Sequence, residues 1–187
     1  LPQGCLKKEM TQETILFVGT GNMGHPIAAN LIRAGYQLTL ADLQPAKFAD
    51  LLALGARAAG DWKEEAARAD LVFLSLPGPA QVEQVLFTQG LLSAMRSGAG
   101  LIDTTTSSVE LARRIGKEAE AHGIHYLESP VTNAIDGARE GRLGIFAAGP
   151  KQAYDKYLPL FEVIGEKIFH VGQHGNGATV KLITNLL

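Results

Sequence analysis

A doubly wound, mostly parallel α/β sheet is the fold this chain predicts, on three observations. Short apolar runs alternate with helix-length amphipathic segments, the pattern of βαβ units. The first run, Ile15–Gly19, leads into a glycine-rich turn that opens a helix. Polar clusters, Ser75 beside Pro77 and the run Thr104-Thr105-Thr106, stand where strand carboxyl ends should meet loops, the ligand edge of an open α/β sheet.

The elements follow in order. Strands are expected at Ile15–Gly19, Gln37–Ala41, Leu71–Leu76, Gly100–Asp103 and His125–Glu128. Met23–Ala34 reads as a helix closed by Gly35 at C′. Pro45 is placed to open Ala46–Leu54, and Asp61 to cap Trp62–Arg68. Pro77-Gly78-Pro79 breaks the chain before a helical pattern at Gln81–Leu86. Ser107 or Ser108 caps Val109–His122, whose apolar residues recur at helical spacing. A strand at Arg142–Ala148, a helix at Lys151–Ile164 and a strand at Lys167–Val171 follow, and Asn176 is expected to cap the final helix.

Composition narrows the function classes. The net charge of −2 and the absence of a basic run argue against nucleic acid as the main partner. No apolar run approaches a membrane span, so no membrane partner is expected. The single cysteine, Cys5, excludes an internal disulfide and suits a reducing, cytoplasmic setting. The histidines lack metal-ligand spacing: His122 and His125 straddle a helix end, and His170 and His174 flank a glycine turn, so no metal site is expected. Residues 1–13 read as an N-terminal extension with Met10 as the natural start, 14–174 as a nucleotide-binding domain, and 175–187 as the start of a further helix.

The turn Gly19-Thr20-Gly21-Asn22-Met23-Gly24 carries the nucleotide reading. Its backbone N–H groups and the positive end of the following helix can face a pyrophosphate, as in a Rossmann-type domain. The next strand ends at Asp42, eighteen residues beyond Gly24, where a carboxylate accepts hydrogen bonds from the adenosine ribose. Asp42 would repel the extra phosphate of NADP and Leu43 supplies no cation, so NAD is expected in preference to NADP. His25, in the first helical turn, reads as a solvated side chain because nothing in the sequence orients it.

The segment Gly177-Ala178-Thr179-Val180-Lys181-Leu182-Ile183-Thr184-Asn185 adds chemistry. Residues at i and i+4 share a helical face, so the Lys181 ammonium and the Asn185 carboxamide can enter one pocket. One can move a proton while the other holds a carboxylate. Together with the glycine turn, this suggests hydride transfer.

These residues resemble the β-hydroxyacid dehydrogenase family around 3-hydroxyisobutyrate dehydrogenase. Four segments carry the likeness in order: the turn at Gly19–Gly24, Asp103-Thr104-Thr105-Thr106-Ser107, Glu128–Leu143 with Thr132-Asn133-Ala134 inside it, and Gly177–Asn185. The resemblance implies an NAD-dependent oxidoreductase acting on a β-hydroxy acid or its semialdehyde, a small carboxylate substrate. It implies Lys181 as acid/base catalyst, Asn185 as a ligand of the substrate carboxylate or of the lysine, and Thr132, Asn133 and Ala134 as the substrate loop. Thr106 is implied beside the nicotinamide ribose, and Leu76 and Pro77 near the adenosine half.

Two departures stand out. The family usually has Ser-Gly-Gly at positions 132–134, and the Cβ atoms of Asn133 and Ala134 restrict φ. Family members also continue the Lys181 helix into an all-helical domain that mediates dimerisation, so a chain ending at Leu187 reads as truncated and as a homo-oligomer. Two readings stand beside the enzyme: a non-catalytic NAD-binding module, and an assembly element built on the apolar residues Val180, Leu182, Ile183, Leu186 and Leu187.

Overall fold

The computed structural model describes residues 13–186. The expected start at Met10, Cys5 and the last residue, Leu187, lie outside them. In chain order the elements are β1 (Thr14–Val18), α1 (Gly24–Arg33), β2 (Gln37–Ala41), a 3₁₀ turn Pro45–Phe48 leading into α2 (Ala49–Ala53), β3 (Arg57–Ala58), α3 (Trp62–Arg68), β4 (Leu71–Leu74) and α4 (Pro79–Glu83). A π-helical turn, Gln84–Thr88, separates α4 from α5 (Leu91–Ala94). Then come β5 (Gly100–Asp103), α6 (Val109–Ala121), β6 (His125–Glu128), β7 (Val131–Thr132), α7 (Ala134–Arg139), β8 (Leu143–Ala147), α8 (Lys151–Ile164), β9 (Gly165–His170) and α9 (Asn176–Leu186).

Six parallel strands form the main sheet in the order β3-β2-β1-β4-β5-β6, the expected doubly wound arrangement. The order reverses direction between β1 and β4, which opens a crevice above their carboxyl ends. Alternate residues of β1 feed two cores. Ile15 and Phe17 pack with α1, α2 and α8, and the Phe17 ring stacks on Phe73 at 4.8 Å. Leu16 and Val18 pack with α3, α4, α5 and α6 on the other face. Burial on both faces explains why these strands read as continuous apolar runs.

A second, three-stranded sheet runs β7-β8-β9, with β7 antiparallel to β8 and β8 parallel to β9. An antiparallel bridge between Glu128 and Ala148 joins it to the edge of the main sheet. Asp61 caps α3 through Lys63 N–H (2.8 Å) and Glu64 N–H (3.0 Å), as expected. Ser108 caps α6 through Leu111 N–H at 3.1 Å, whereas the Ser107 hydroxyl is buried without a partner. Gly35 closes α1 with φ +92°.

Several expectations are corrected. β4 ends at Leu74, not Leu76, because the Leu76 N–H turns to the Thr105 hydroxyl (3.0 Å). The helix expected at Gln81–Leu86 starts earlier, at Pro79, and widens into the π turn. The two-residue strands β3 and β7 and the short helices α5 and α7 had no counterpart in the sequence reading. Asn176 lies inside α9, and its amide donates to Val171 O at 2.8 Å instead of capping. The cap comes from Glu128, whose carboxylate accepts the N–H groups of Gly175 (2.6 Å) and Ala178.

Candidate functional site

The glycine turn sits at the reversal point of the sheet, and each of its glycines has a separate reason. Gly19 takes φ +96°, and a Cβ there would collide with the Ser75 carbonyl oxygen. A Cβ on Gly24 would collide with the Gly19 carbonyl oxygen, so α1 can press against the turn only without one. Gly21 has nothing within 4 Å of its would-be Cβ, which leaves backbone open to a ligand.

Asp42 stands beside this turn at the end of β2. One carboxylate oxygen accepts Thr20 N–H (2.8 Å) and the Thr20 hydroxyl (3.1 Å), and the other accepts Gln44 N–H (2.9 Å). Burial alone would raise the Asp42 pKa, but these donors and nearby Lys47 outweigh it and hold the carboxyl below its ordinary range. Asp42 is therefore ionised at neutral pH. It borders a cavity of about 200 Å³ shared with Leu43, Lys47, Trp62, Leu76, Pro77 and residues of the π turn. Leu43 is indeed no cation, but Lys47 supplies one from the 3₁₀ turn, which the strand-end reading missed. His25 is half-exposed, and at the surface its Nε2 meets the exposed Asp50 Oδ1 at 3.0 Å, a partner the sequence did not show.

A second, larger cleft of about 820 Å³ opens on the other side of Leu76 and Pro77. It is lined by Asn22, Met23, Thr106, Thr132, Asn133, Ala134, Lys181 and Asn185, together with Ser75, Thr104, Thr105 and Val131. Side chains from five separate stretches of sequence thus meet in one cleft. Lys181 and Asn185 line it from successive turns of α9, as their spacing implied. Lys181 is half-buried, and that burial lowers its pKa from the ordinary lysine value. The threonine run divides its labour. Thr104 donates to Leu74 O (2.9 Å) and Thr105 accepts from Leu76 N–H (3.0 Å), which leaves exposed Thr106 free to face the cleft.

Asn133 and Ala134 both adopt positive φ, +79° and +50°. The expected restriction of φ is therefore overridden: the backbone takes the left-handed conformation that glycine would take, in spite of the Cβ atoms. The Asn133 side chain helps, donating to Arg142 O at 2.8 Å. Among the described residues no group of three or more His, Cys, Asp or Glu is placed to hold a metal ion. No described helix is long and apolar enough to cross a membrane.

The two cavities and the open backbone at Gly21 fit an extended dinucleotide, with one half beside Asp42 and the other beside Thr106. Comparison with known proteins agrees with a dinucleotide-binding domain. Residues 14–172 match the family described as the NAD binding domain of 6-phosphogluconate dehydrogenase. The 3-hydroxyisobutyrate dehydrogenase of Pseudomonas aeruginosa is 37% identical over 174 residues, which is 92% of this chain and 58% of that protein. The 2-hydroxy-3-oxopropionate reductase of Escherichia coli is 35% identical over 172 residues, covering 91% of this chain and 59% of the relative. The structure of Mycobacterium tuberculosis 3-hydroxyisobutyrate dehydrogenase with L-serine superposes with a TM-score of 0.87 at 33% identity, over 94% of this chain and 60% of the other. The chain thus spans about three-fifths of the length of the relatives it matches. Fold, glycine turn and sequence likeness lead to one assignment: the chain belongs to the family described as the NAD binding domain of 6-phosphogluconate dehydrogenase, and its sequence is similar to the corresponding part of 3-hydroxyisobutyrate dehydrogenases.

Proposed function

We propose that this chain serves an NAD-dependent oxidoreductase that interconverts a β-hydroxy acid and its semialdehyde, with Lys181 as the acid/base. The observation that carries this reading is the single cleft shared by Lys181, Asn185, the loop Thr132–Ala134 and Thr106, next to the glycine turn. NAD, when bound, accepts hydride from the hydroxyl-bearing carbon. Lys181 takes the hydroxyl proton as that hydride leaves and returns it to the carbonyl oxygen in the reverse direction. Its lowered pKa brings the neutral amine closer to working pH. Asn185 holds the substrate carboxylate or orients Lys181, and Thr132, Asn133 and Ala134 embrace the substrate. Asp42 accepts the ribose hydroxyls and disfavours NADP, Leu76 and Pro77 flank the adenosine half, and Thr106 meets the nicotinamide ribose. Residues 14–174 form the cofactor domain, and α9 leads out of it. The working setting is cytoplasmic.

The test is a fluorescence titration with NADH and NADPH, followed by turnover of 3-hydroxyisobutyrate and L-serine by the chain and by Lys181→Ala. NADH should bind more tightly. Lys181→Ala should lose roughly 10²–10⁴-fold in turnover with NADH binding intact. Retained turnover refutes the lysine's role.

A second reading rests on the outer face of α9, where Leu182, Ile183 and Leu186 are 46%, 52% and 87% exposed. That face pairs with further helices or a second copy, making the chain an assembly element as well as an NAD-binding module. Sedimentation that stays monomeric at high concentration would count against self-pairing.

A further inference from the structure

The lysine of the cleft is only as well placed as the helix that carries it, and α9 is fastened at one end. Gly177 and Ala178, in its first turn, are buried, while residues 182–186 are all exposed. That first turn lies on the carboxyl end of β6. There Glu128, 2% exposed, directs one carboxylate oxygen to Gly175 N–H at 2.6 Å and the other to Ala178 N–H. A Cβ on Gly177 would lie 3.1 Å from the Glu128 carboxyl carbon and 2.8 Å from Phe146 O, so the helix end rests directly on this group. Ala178 is one helical turn before Lys181, and Asn185 follows one turn later. A first-turn N–H has no partner within its own helix, and a carboxylate at the positive end of the helix dipole supplies both acceptor and charge.

The surroundings keep the carboxylate in place. Asp103 is the register partner of Glu128 on β5, 1% exposed, with Oδ1 accepting Thr105 N–H at 2.9 Å. His174 stacks on Tyr126 at 4.9 Å and meets Tyr126 O at 3.1 Å. Burial raises the Glu128 pKa from its ordinary value, against the N–H groups of Gly175 and Ala178 and the nearby His174, which favour the charged form. Glu128 lines neither cavity, so its bearing on Lys181 runs through α9.

We infer that Glu128 is a positioning residue: by clamping the N–H groups of Gly175 and Ala178 it seats the first turn of α9 and aims Lys181 into the cleft. The inference rests on the reading of Lys181 as acid/base, but the clamp itself can be tested without it. In the unaltered chain, hydrogen exchange followed by NMR should show the Gly175 and Ala178 amides protected, although uncapped first-turn amides exchange freely. In Glu128→Gln a side-chain N–H₂ must face one of the two donors. Exchange at these amides should then rise about ten- to a hundredfold, the loss of one charge-assisted hydrogen bond, while the strands β1, β4 and β5 stay unchanged. The pH at which Lys181 is acetylated by acetic anhydride, read by mass spectrometry, should move toward that of an ordinary lysine in the same variant. Unprotected amides in the unaltered chain, or unchanged exchange and lysine reactivity in a folded Glu128→Gln, overturn the inference. The unaltered-chain measurement decides the matter if the variant does not fold. If Lys181→Ala retains turnover while Glu128→Gln loosens α9, the clamp survives and the lysine's catalytic role is what fails.

Discussion

At the scale of single residues, the cleft depends on side chains held by partners that are far away in sequence. Asp42 is held by Thr20, twenty-two residues away, as well as by its neighbour Gln44, so its charge stays beside the turn. Asp42→Arg should shift cofactor preference toward NADPH by about tenfold or more, with Lys47 already standing beside the new cation. Parallel NADH and NADPH titrations would expose the opposite result. Ala134 sustains φ +50°, a conformation that costs an L-residue about 1–2 kcal/mol. Ala134→Gly should therefore gain ~0.5–1 kcal/mol net of glycine's own entropy, a rise of about 1–4 °C in Tm. A drop in Tm would mean the Cβ makes packing worth more than the strain. The residues invisible to sequence reasoning were those whose role arises from burial. Glu128 read only as the last residue of a strand and the first of the substrate-loop segment, because nothing local says that its carboxylate will end up under a helix fifty residues away. Lys47 escaped for a similar reason, since only the fold brings the 3₁₀ turn to the ligand edge.

At the scale of elements, the strands with continuous apolar runs and the helices with sharp caps were legible. β2, β5, β6, α3 and α8 fall on their expected bounds, because burial on both faces and caps such as Asp61 are local signals. β3 and β7 were not, because two residues carry no period and their pairing depends wholly on a neighbour. The π turn was read as plain α-helix, since its extra residue leaves no mark in the hydropathy pattern. The site was legible as a list: the glycine turn, the strand-end threonines, the substrate loop and the lysine helix do converge. The junction of β1 and α1 is the least tolerant element. Gly24→Ala must push α1 away from Gly19, so it should cost several kcal/mol, about 2–4, and abolish NADH binding along with the displaced turn. Thermal unfolding and an NADH titration of the variant check both parts, and a Tm near that of the parent chain would rule the argument out.

At the scale of the whole molecule, the two joined sheets leave a titration signature. Burial pushes the Asp103 pKa up to about 7, with the neighbouring Glu128 adding to the rise against the hydrogen bonds from Thr105. An unfolded aspartate loses its proton near pH 4. Between about pH 4 and 7 the folded chain therefore holds a proton that the unfolded chain has shed, and stability falls as pH rises, by up to about 1.4 kcal/mol per pH unit from this group. Above the folded value the loss is complete and constant. Asp103→Asn keeps an acceptor for Thr105 N–H and should flatten this slope, so its stability relative to the parent should rise from pH 4 to 7 in urea unfolding; parallel curves would show that Asp103 does not hold its proton. The two sheets also have a consequence for how such a molecule can change. The glycine turn, Asp42 and Thr106 stand at the ends of the six-stranded sheet, whereas Thr132 lies on the edge strand of the three-stranded one. On the proposed reading, mutations in the Thr132–Ala134 stretch would alter what enters the cleft without unsettling the strands beside the glycine turn. Descendants of one ancestor would then diverge in the acid they accept while inheriting the same redox partner.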